Sequence, residues 1–361
     1  MMTVPARFTR RSLLVLGAGA AAAPVLSACG GVSTTGTTSG SGGVTLMSNQ
    51  FAPVEEKQRF EKILKDKVTA VPVAFNQVET GIFSSTLQTQ VEAKKVQIGV
   101  AGALHGDLAQ HRDRLTDLDD LLGALGDRGF AKELTDMAKL GGSTTKYVPW
   151  MQASYVLAVN KKALEWLPSG ADVEKLTYDQ LLAWATAGKA GNGGKPIFGI
   201  PAGVKGLYHR FFQGFLLPSF TGGQITPFKS AEAVAAWEFM KQLWAQTARG
   251  STNYDNMQEP LQRGEVLVGF DHVARLVGAP GDKPDDWVMV PAPSGPKGLG
   301  YMLVLGEVGQ IFKNCFKEIC LDGKPVKQVL DAQGAELNKI MDDLKIPCWQ
   351  PDPAGADCRA A

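Results

Sequence analysis

From Val44 onward the chain alternates short apolar runs with amphipathic helical stretches, and that alternation confines it to an α/β architecture. Residues 44–48 read as a strand, 54–65 as a helix with Phe60, Ile63 and Leu64 on one face, and 68–75 as the next strand. Residues 82–94 give a second helix and 96–100 a third strand, followed by two helices within 117–139 that break at Gly126. Repeated βα units predict a largely parallel sheet covered on both faces. Right-handed crossovers gather the following loops at the carboxyl edge, where open α/β sheets bind ligands. Residues 146–160 form a long extended stretch containing Pro149 and Trp150, suited to pass between two lobes. In a second block, helices are predicted at 178–187, 206–217, 231–247 and 256–262, and strands at 197–200, 266–270, 288–290 and 301–305. Helices at 311–319 and 324–343 precede an irregular tail, and no repeat of solenoid length is present.

The beginning of the chain carries a different signal. Arg7, Arg10 and Arg11 precede an apolar stretch that ends in Leu26-Ser27-Ala28-Cys29. Gly17, Gly19 and Pro24 interrupt that stretch, which is short for a membrane-spanning helix. Residues 1–28 therefore read as a secretory signal peptide ending at a lipid-attachment cysteine, Cys29. Thr9-Arg10-Arg11-Ser12-Leu13-Leu14 resembles a twin-arginine export signal. Residues 29–43, rich in Gly, Ser and Thr, bury no apolar surface and read as a flexible leash. The expected location is the extracytoplasmic face of the cell membrane, by lipid anchor.

The 361 residues leave room for two ordinary domains, and 44% hydrophobic residues supply a substantial core. A net charge of +1 provides no basic field for nucleic acid. Cys348 and Cys358 flank a turn-rich segment whose ends can meet as a disulfide in an oxidising compartment. Cys315 and Cys320 point in different directions on a helix and read as separate buried thiols. His105, His111, His209 and His272 are scattered, so neither a metal site nor a cofactor is expected.

Several stretches resemble the extracytoplasmic solute-binding proteins of ATP-binding-cassette importers, specifically the sugar-binding family (family 1). Tyr155-Val156-Leu157-Ala158-Val159-Asn160-Lys161-Lys162-Ala163-Leu164 is similar to the family's crossing strand and following helix. Leu176-Thr177-Tyr178-Asp179-Gln180-Leu181 resembles its helix start, with Thr177 as N-cap. Gly199-Ile200-Pro201-Ala202-Gly203, residues 231–244, Gln262-Arg263-Gly264-Glu265-Val266 and Phe270-Asp271-His272 carry the same likeness. The resemblance implies a two-lobe, type II periplasmic-binding-protein-like fold. Its first lobe would be 44–155, its second 156–298, a return strand 299–306, and C-terminal helices and tail 307–361. It also implies a sugar ligand, a permease partner, a monomer and no catalysis. After Gly306 the chain departs from the family pattern: at least one βα unit, roughly 30 residues, is absent and leaves the first lobe shortened.

A sugar presents hydroxyls on its rim and C–H groups on its faces, so a binder needs bidentate polar groups and planar aromatics. Loop segments at strand ends supply such mixtures. Gln50 and Phe51 follow the first strand, His105 and Asp107 the third, and Trp150 and Gln152 lie in the crossing segment. Tyr208, His209 and Arg210 start a helix, Asp271, His272 and Arg275 follow a strand, and Gly300 and Tyr301 offer backbone N–H groups. Each has a structural alternative. Asp107 fits an N-cap for a helix beginning at Leu108, and Trp150 fits a filler of the lobe boundary. Tyr208, His209 and Arg210 cannot all face one way, and Asp271 can cap a helix with Arg275 merely its ion-pair partner. Trp184, Trp237, Trp244, Phe211, Phe239 and Trp287 read as core, and Trp349 as packing under the disulfide loop.

The leading expectation is a receptor that closes two lobes on a sugar. Arg210, Arg275 and Lys205 keep a binder of phosphate esters or other anions in view. A secreted hydrolase ranks below both, because the chain has no G-x-S-x-G and its carboxylates lie mostly on helix faces.

Overall fold

The computed structural model describes residues 42–51, 54–152, 154–300, 306, 308–345, 347–348, 351–353 and 358–361. The expected signal peptide, Cys29, the expected leash up to residue 41, the segment 301–305 predicted as a strand with Tyr301, and Trp349 lie outside them.

The first sheet holds β1 (Val44–Ser48), β2 (Val73–Gln77) and β3 (Val100–Gly102) in the order β2-β1-β3, all parallel. The crossovers are α1 (Val54–Lys67) and α2 (Thr80–Glu92). With β1 central, one crossover runs each way, so right-handedness places α1 and α2 on opposite faces. Both edge strands begin later than the sequence predicts. Pro72 has no N–H to give the ladder, and only its carbonyl is used, by Val44 N at 2.8 Å. Gly99 lies so close to β1 that a Cβ there would come within 2.9 Å of Val44 Cγ1, and regular pairing starts one residue on.

The second sheet holds β4 (Tyr155–Asn160), β5 (Phe198–Gly199), β6 (Val268–His272) and β7 (Trp287–Val290) in the order β5-β6-β4-β7. Only β5 and β6 run parallel; β4 is antiparallel to β6 and β7. The expectation of a largely parallel sheet holds for the first sheet and fails for the second. β4 enters through the extended segment from the first lobe, without a crossover helix, and so runs opposite to its neighbours.

The helix Tyr178–Gly191 starts at a capping box. Gln180 N donates to Thr177 Oγ1 at 3.2 Å, and Thr177 N donates back to Gln180 Oε1 at 2.9 Å. Trp184, fully buried, donates its Nε1–H to Ala163 O at 2.8 Å. The single helix predicted at 206–217 is instead Tyr208–Arg210, a π-helical turn Phe211–Leu216, and Leu217–Thr221. The wider turn changes the phase of every side chain after it.

The second lobe's core continues into the C-terminal helices Gly309–Phe316 and Val326–Leu344. Phe212 stacks on Phe316 with centroids 5.3 Å apart, and Phe228 meets Phe312 edge-on. The tail is pinned to the same lobe. Cys348 and Cys358 are bonded, with Cα atoms 4.7 Å apart. Buried Asp352 accepts from Gln224 N at 2.8 Å, Ile225 N at 3.0 Å, Thr226 N at 2.7 Å and Thr226 Oγ1 at 2.8 Å. Cys315 and Cys320 are free, as the sequence predicts. The first lobe's core is far smaller: Met47, Phe83, Leu87, Leu108 and Leu140.

Charge-assisted bonds to buried groups contribute most when cutting them strands their donors. Asp352→Ala is expected to destabilise the protein by about 3 kcal/mol, read by urea unfolding. A loss below about 0.5 kcal/mol, the range of ordinary surface changes, would mean the clasp does not hold the tail.

Candidate functional site

The carboxyl edge of the first sheet is built around one buried carboxylate. Asp107 is 2% exposed and lies in α3 (His105–Ala109), the short helix after β3. It is not the N-cap predicted from sequence. The helix begins three residues earlier with Leu104 as N-cap, and Asp107 reaches back to the Leu104 N–H. Its Oδ2 accepts from Asn49 Nδ2 at 2.7 Å, which ties the loop after β1 to the helix after β3. Asn49 also donates to Thr80 Oγ1 at 3.3 Å, at the start of α2, and its Oδ1 accepts from Gln50 Nε2 at 2.7 Å. All three strand ends thus meet in one polar network. Burial pushes the Asp107 pKa up, while the Asn49 and Leu104 hydrogen bonds and the Arg210 charge pull it back.

An aromatic group flanks this network. Phe51 has φ +63°, a left-handed conformation rare for a bulky residue. That turn lays its ring on Phe60 with centroids 4.1 Å apart and planes 5° off parallel. Trp150 sits 5.7 Å from Phe60 and 6.1 Å from Phe51, yet remains 61% exposed. It therefore packs on the first lobe's Phe51 and Phe60 rings and still offers an exposed face, with exposed Gln152 two residues on. His105 is directed to Tyr147, Nδ1 to hydroxyl 3.0 Å, and burial lowers its pKa to about 4.

The second sheet supplies the facing groups. Antiparallel pairing sets Tyr155, the first residue of β4, opposite His272, the last of β6, with their rings edge-on at 5.2 Å. Asp271 caps no helix: it is a fully buried strand residue whose Oδ2 accepts from Met257 N at 3.0 Å and Oδ1 from His272 N at 2.7 Å. Burial raises its pKa to about 6. The cap is His272, whose Nδ1 accepts from Ala274 N at 3.1 Å. Arg275 acts on Asp271 by its charge and not by an ion pair among the described contacts. Its Nη1 donates to Asp255 O at 3.1 Å and Lys205 O at 3.3 Å, fixing the loop after β5.

Of the trio Tyr208, His209 and Arg210, Arg210 alone faces the other lobe. Its charge acts on Asp107, its guanidinium interacts with the Tyr155 hydroxyl, and Nη1 donates to Gln213 Oε1 at 3.1 Å. Tyr208 packs against Phe212 and Phe316 with Lys313 Nζ over its ring. His209 is buried against Gly309, and burial with the Arg210, Lys313 and Arg275 charges drives its pKa to about 2. Both side chains pack within the second lobe. At Gly300 a Cβ would lie 2.4 Å from Phe215 Cα, so its bareness serves a close backbone approach.

Among the described residues no group of His, Cys, Asp and Glu is arranged to hold a metal ion, and no helix is long and apolar enough to cross a membrane. Two surface concavities, about 430 Å³ beside Trp166 and Lys195 and about 620 Å³ beside Leu64 and Val71, lie away from the polar cluster. The candidate site is defined by the converging strand ends instead.

Residues 51–312 match the family described as bacterial extracellular solute-binding protein. The chain belongs to that family. These extracellular proteins bind solutes, and the two sheets joined by an extended crossing are its type II architecture. Comparison with curated proteins returns no match. Among solved structures, a solute-binding protein of an ABC transporter from Thermotoga lettingae TMO, bound with α-D-tagatose, is 13% identical. The likeness covers 84% of this chain and 100% of that one, with TM-score 0.60. UgpB from Mycobacterium tuberculosis in complex with glycerophosphocholine is 14% identical over 84% of this chain and 99% of its own, with TM-score 0.61. The maltose-bound MalE3 of T. maritima is 20% identical over 87% and 90%, with TM-score 0.53. At these identities the likeness is one of fold.

For this solute-binding protein, sequence reasoning did not single out Asn49, Tyr155 or Tyr147. Tyr155 reads as a strand hydrophobe until the β4–β6 register sets it beside His272. Asn49 precedes Gln50 in a segment rich in polar groups, and a connection to Asp107 across 58 residues leaves no local signal.

The titrating groups predict acid sensitivity. All four histidines have lowered pKa values, with burial the main cause. Each stays neutral in the fold but protonates below about 6.5 when unfolded. Stability is therefore lost as pH falls through about 6.5, toward about 4 for His105 and about 2 for His209. Asp271 opposes this: with a folded pKa near 6 against about 3.9 unfolded, it favours the fold on acidification across that window. The histidines outnumber it, so the thermal midpoint should drop between about pH 7 and pH 5. His209→Gln should flatten the drop and Asp271→Asn steepen it. A midpoint constant across that range in all three proteins would overturn the assignment.

Proposed function

We propose that the chain is a lipid-anchored receptor that captures a sugar or sugar derivative between its lobes and hands it to an ABC importer permease. The observation that carries this reading is the Arg210 charge of the second lobe acting on buried Asp107 of the first, with Asn49 and Gln50 beside Asp107 and with Tyr155, itself against His272, beside Arg210. Carboxylate, amide, imidazole and guanidinium groups are the donors and acceptors that adjacent hydroxyls require. The open face of Trp150 supplies the planar apolar surface for a sugar ring. Solved structures of like fold that hold tagatose and maltose support the same ligand class. The reading includes cleavage before Cys29, its acylation, export through the twin-arginine motif and action as a monomer. It also includes a first lobe one βα unit short of the family pattern, whose remaining sheet still presents Asn49 and Asp107. Ligand contacts to both lobes would stabilise the closed state by hinge motion, with no bond broken.

Calorimetry and thermal shift against mono- and oligosaccharides test the claim, with glycerophosphodiesters alongside. A sugar should raise the midpoint, and Asp107→Ala and Arg210→Ala should each weaken its binding by about 10- to 100-fold, the effect of losing a charge-assisted hydrogen bond. A well-folded sample that no sugar shifts would sink the reading. A second reading rests on the cations about Arg210: Arg275, Lys205 and Lys313 accompany it, and Lys313 titrates low partly because Arg210 is near. A phosphate ester would bind there with an affinity that falls as salt rises, whereas a neutral sugar would not.

A further inference from the structure

We infer that the amino-terminal edge of the first sheet is a docking surface for an anionic lipid bilayer, resting the first lobe on the membrane with the ligand cleft at the opposite edge. The inference rests in part on the proposed anchor at Cys29, because it uses the place where the leash joins the fold.

Parallel topology creates this surface. β1, β2 and β3 all point their carboxyl ends at the polar network, so their amino ends share the other edge. Val44 N bonds Pro72 O there, and Gly99 N bonds Thr45 O. The crossover helices run against the strands, so the C-terminal ends of both α1 and α2 arrive at that same edge. Each delivers two lysines followed by an exposed valine. The end of α1 gives Lys65, Lys67 and Val68, the valine 39% exposed. The chain leaving α2 gives Lys94, Lys95 and Val96, the valine 57% exposed. Lys94 is held at φ +53°, which turns the chain sharply at the helix end. No ion pair engages these four ammonium groups among the described residues, whereas the nearby Lys57 and Lys62 are matched by Glu61 and Asp66. Beside Lys65, a concavity of about 620 Å³ is lined by Leu64, Val68, Val71 and Phe75.

Two observations select the occupant. The first is where the chain outside the described residues ends: it enters at Gly42 and Val44, on this edge and between the two lysine pairs. The dozen residues between Cys29 and Gly42 would span only about 20 Å on average if they behave as a Gly/Ser-rich linker, so an acylated Cys29 would keep this edge, more than any other, within reach of the bilayer. The second is charge complementarity. Lysines interleaved with exposed aliphatic side chains match an anionic headgroup layer over an apolar interior, with each cation adding attraction that salt screens. Four cations give a salt-dependent attraction of their own, and the tether would add effective concentration to it.

The test uses the mature chain from residue 29 with Cys29→Ser, which carries no acyl group. It is co-sedimented with vesicles of equal parts phosphatidylglycerol and phosphatidylcholine, and with phosphatidylcholine alone. The protein should partition onto the anionic vesicles at low salt, lose most of that at about 0.3 M salt, and ignore the neutral ones. Substituting Lys65, Lys67, Lys94 and Lys95 by Gln should reduce partitioning by about 100- to 1,000-fold at low salt with an unchanged thermal midpoint. The same change at Lys161, Lys162, Lys175 and Lys297 on the second lobe should leave it unaltered. Equal partitioning of the two quadruple variants, equal affinity for both vesicles, or no partitioning at low salt would each overturn the inference. Mass spectrometry of the native chain from membranes reads acylation of Cys29 separately. An unmodified cysteine with lysine-dependent vesicle binding overturns the anchor and keeps the surface; the converse overturns the surface alone.

Discussion

The candidate site depends on the burial of the Asp107 carboxylate. A charge at 2% exposure must be paired or hydrogen-bonded, because leaving it bare costs more than any packing nearby returns. Asn49 and the Leu104 N–H answer that need within the first lobe, and the Arg210 charge answers it from the second. The same demand therefore fixes three things at once: the turn after β1, the start of α3, and the side of the second lobe that faces the first. A solute with adjacent hydroxyls would replace part of this pairing without exposing the carboxylate, which makes a closed liganded state accessible.

Much of this fold is legible in the sequence, and its failures have physical causes. The helix at 178–191 is announced by Thr177 and Gln180, a local signal that the capping box confirms. The late starts of β2 and β3 trace to Pro72 and Gly99, whose consequences depend on a neighbouring strand. The mixed second sheet is invisible to periodicity, because direction is set by how β4 arrives and not by its side chains. Site residues divide in the same way. The segments holding Gln50, His105, Asp107, Trp150, Arg210 and Asp271 stand at strand ends where pattern places them. Which members turn inward is decided by tertiary phase. The π-helical turn at Phe211–Leu216 follows directly on Arg210, and Tyr208 and His209 go to the Phe212, Phe316 and Gly309 side.

The two lobes are unequal in what holds them. The second shares a core with the C-terminal helices and is closed by the Asp352 clasp and a disulfide. Among the described residues the first has a core cluster of Met47, Phe83, Leu87, Leu108 and Leu140 beneath a three-stranded sheet. Local stability follows buried apolar contact, so the first lobe opens at lower free energy. Groups that bond across the sheet edge, Asn49 with Asp107 and with Thr80, then matter more to the first lobe than similar bonds would to the second.

One topological fact gives that small lobe two chemically distinct ends. In a parallel sheet every strand delivers its carboxyl end to one edge and every crossover helix delivers its own to the other. At the first edge, short polar side chains face each other across narrow gaps and satisfy one another, as Asn49, Thr80 and Asp107 do. At the second, helix C-termini favour cations by their dipoles, and Lys65, Lys67, Lys94 and Lys95 stand there with no ion pair among the described residues. A chain entering through β1 must cross that cationic end before reaching the solute-facing one. The order of the sequence thus sets the polarity of the lobe: the entry into β1 and the lysines on one side, Asp107 on the other.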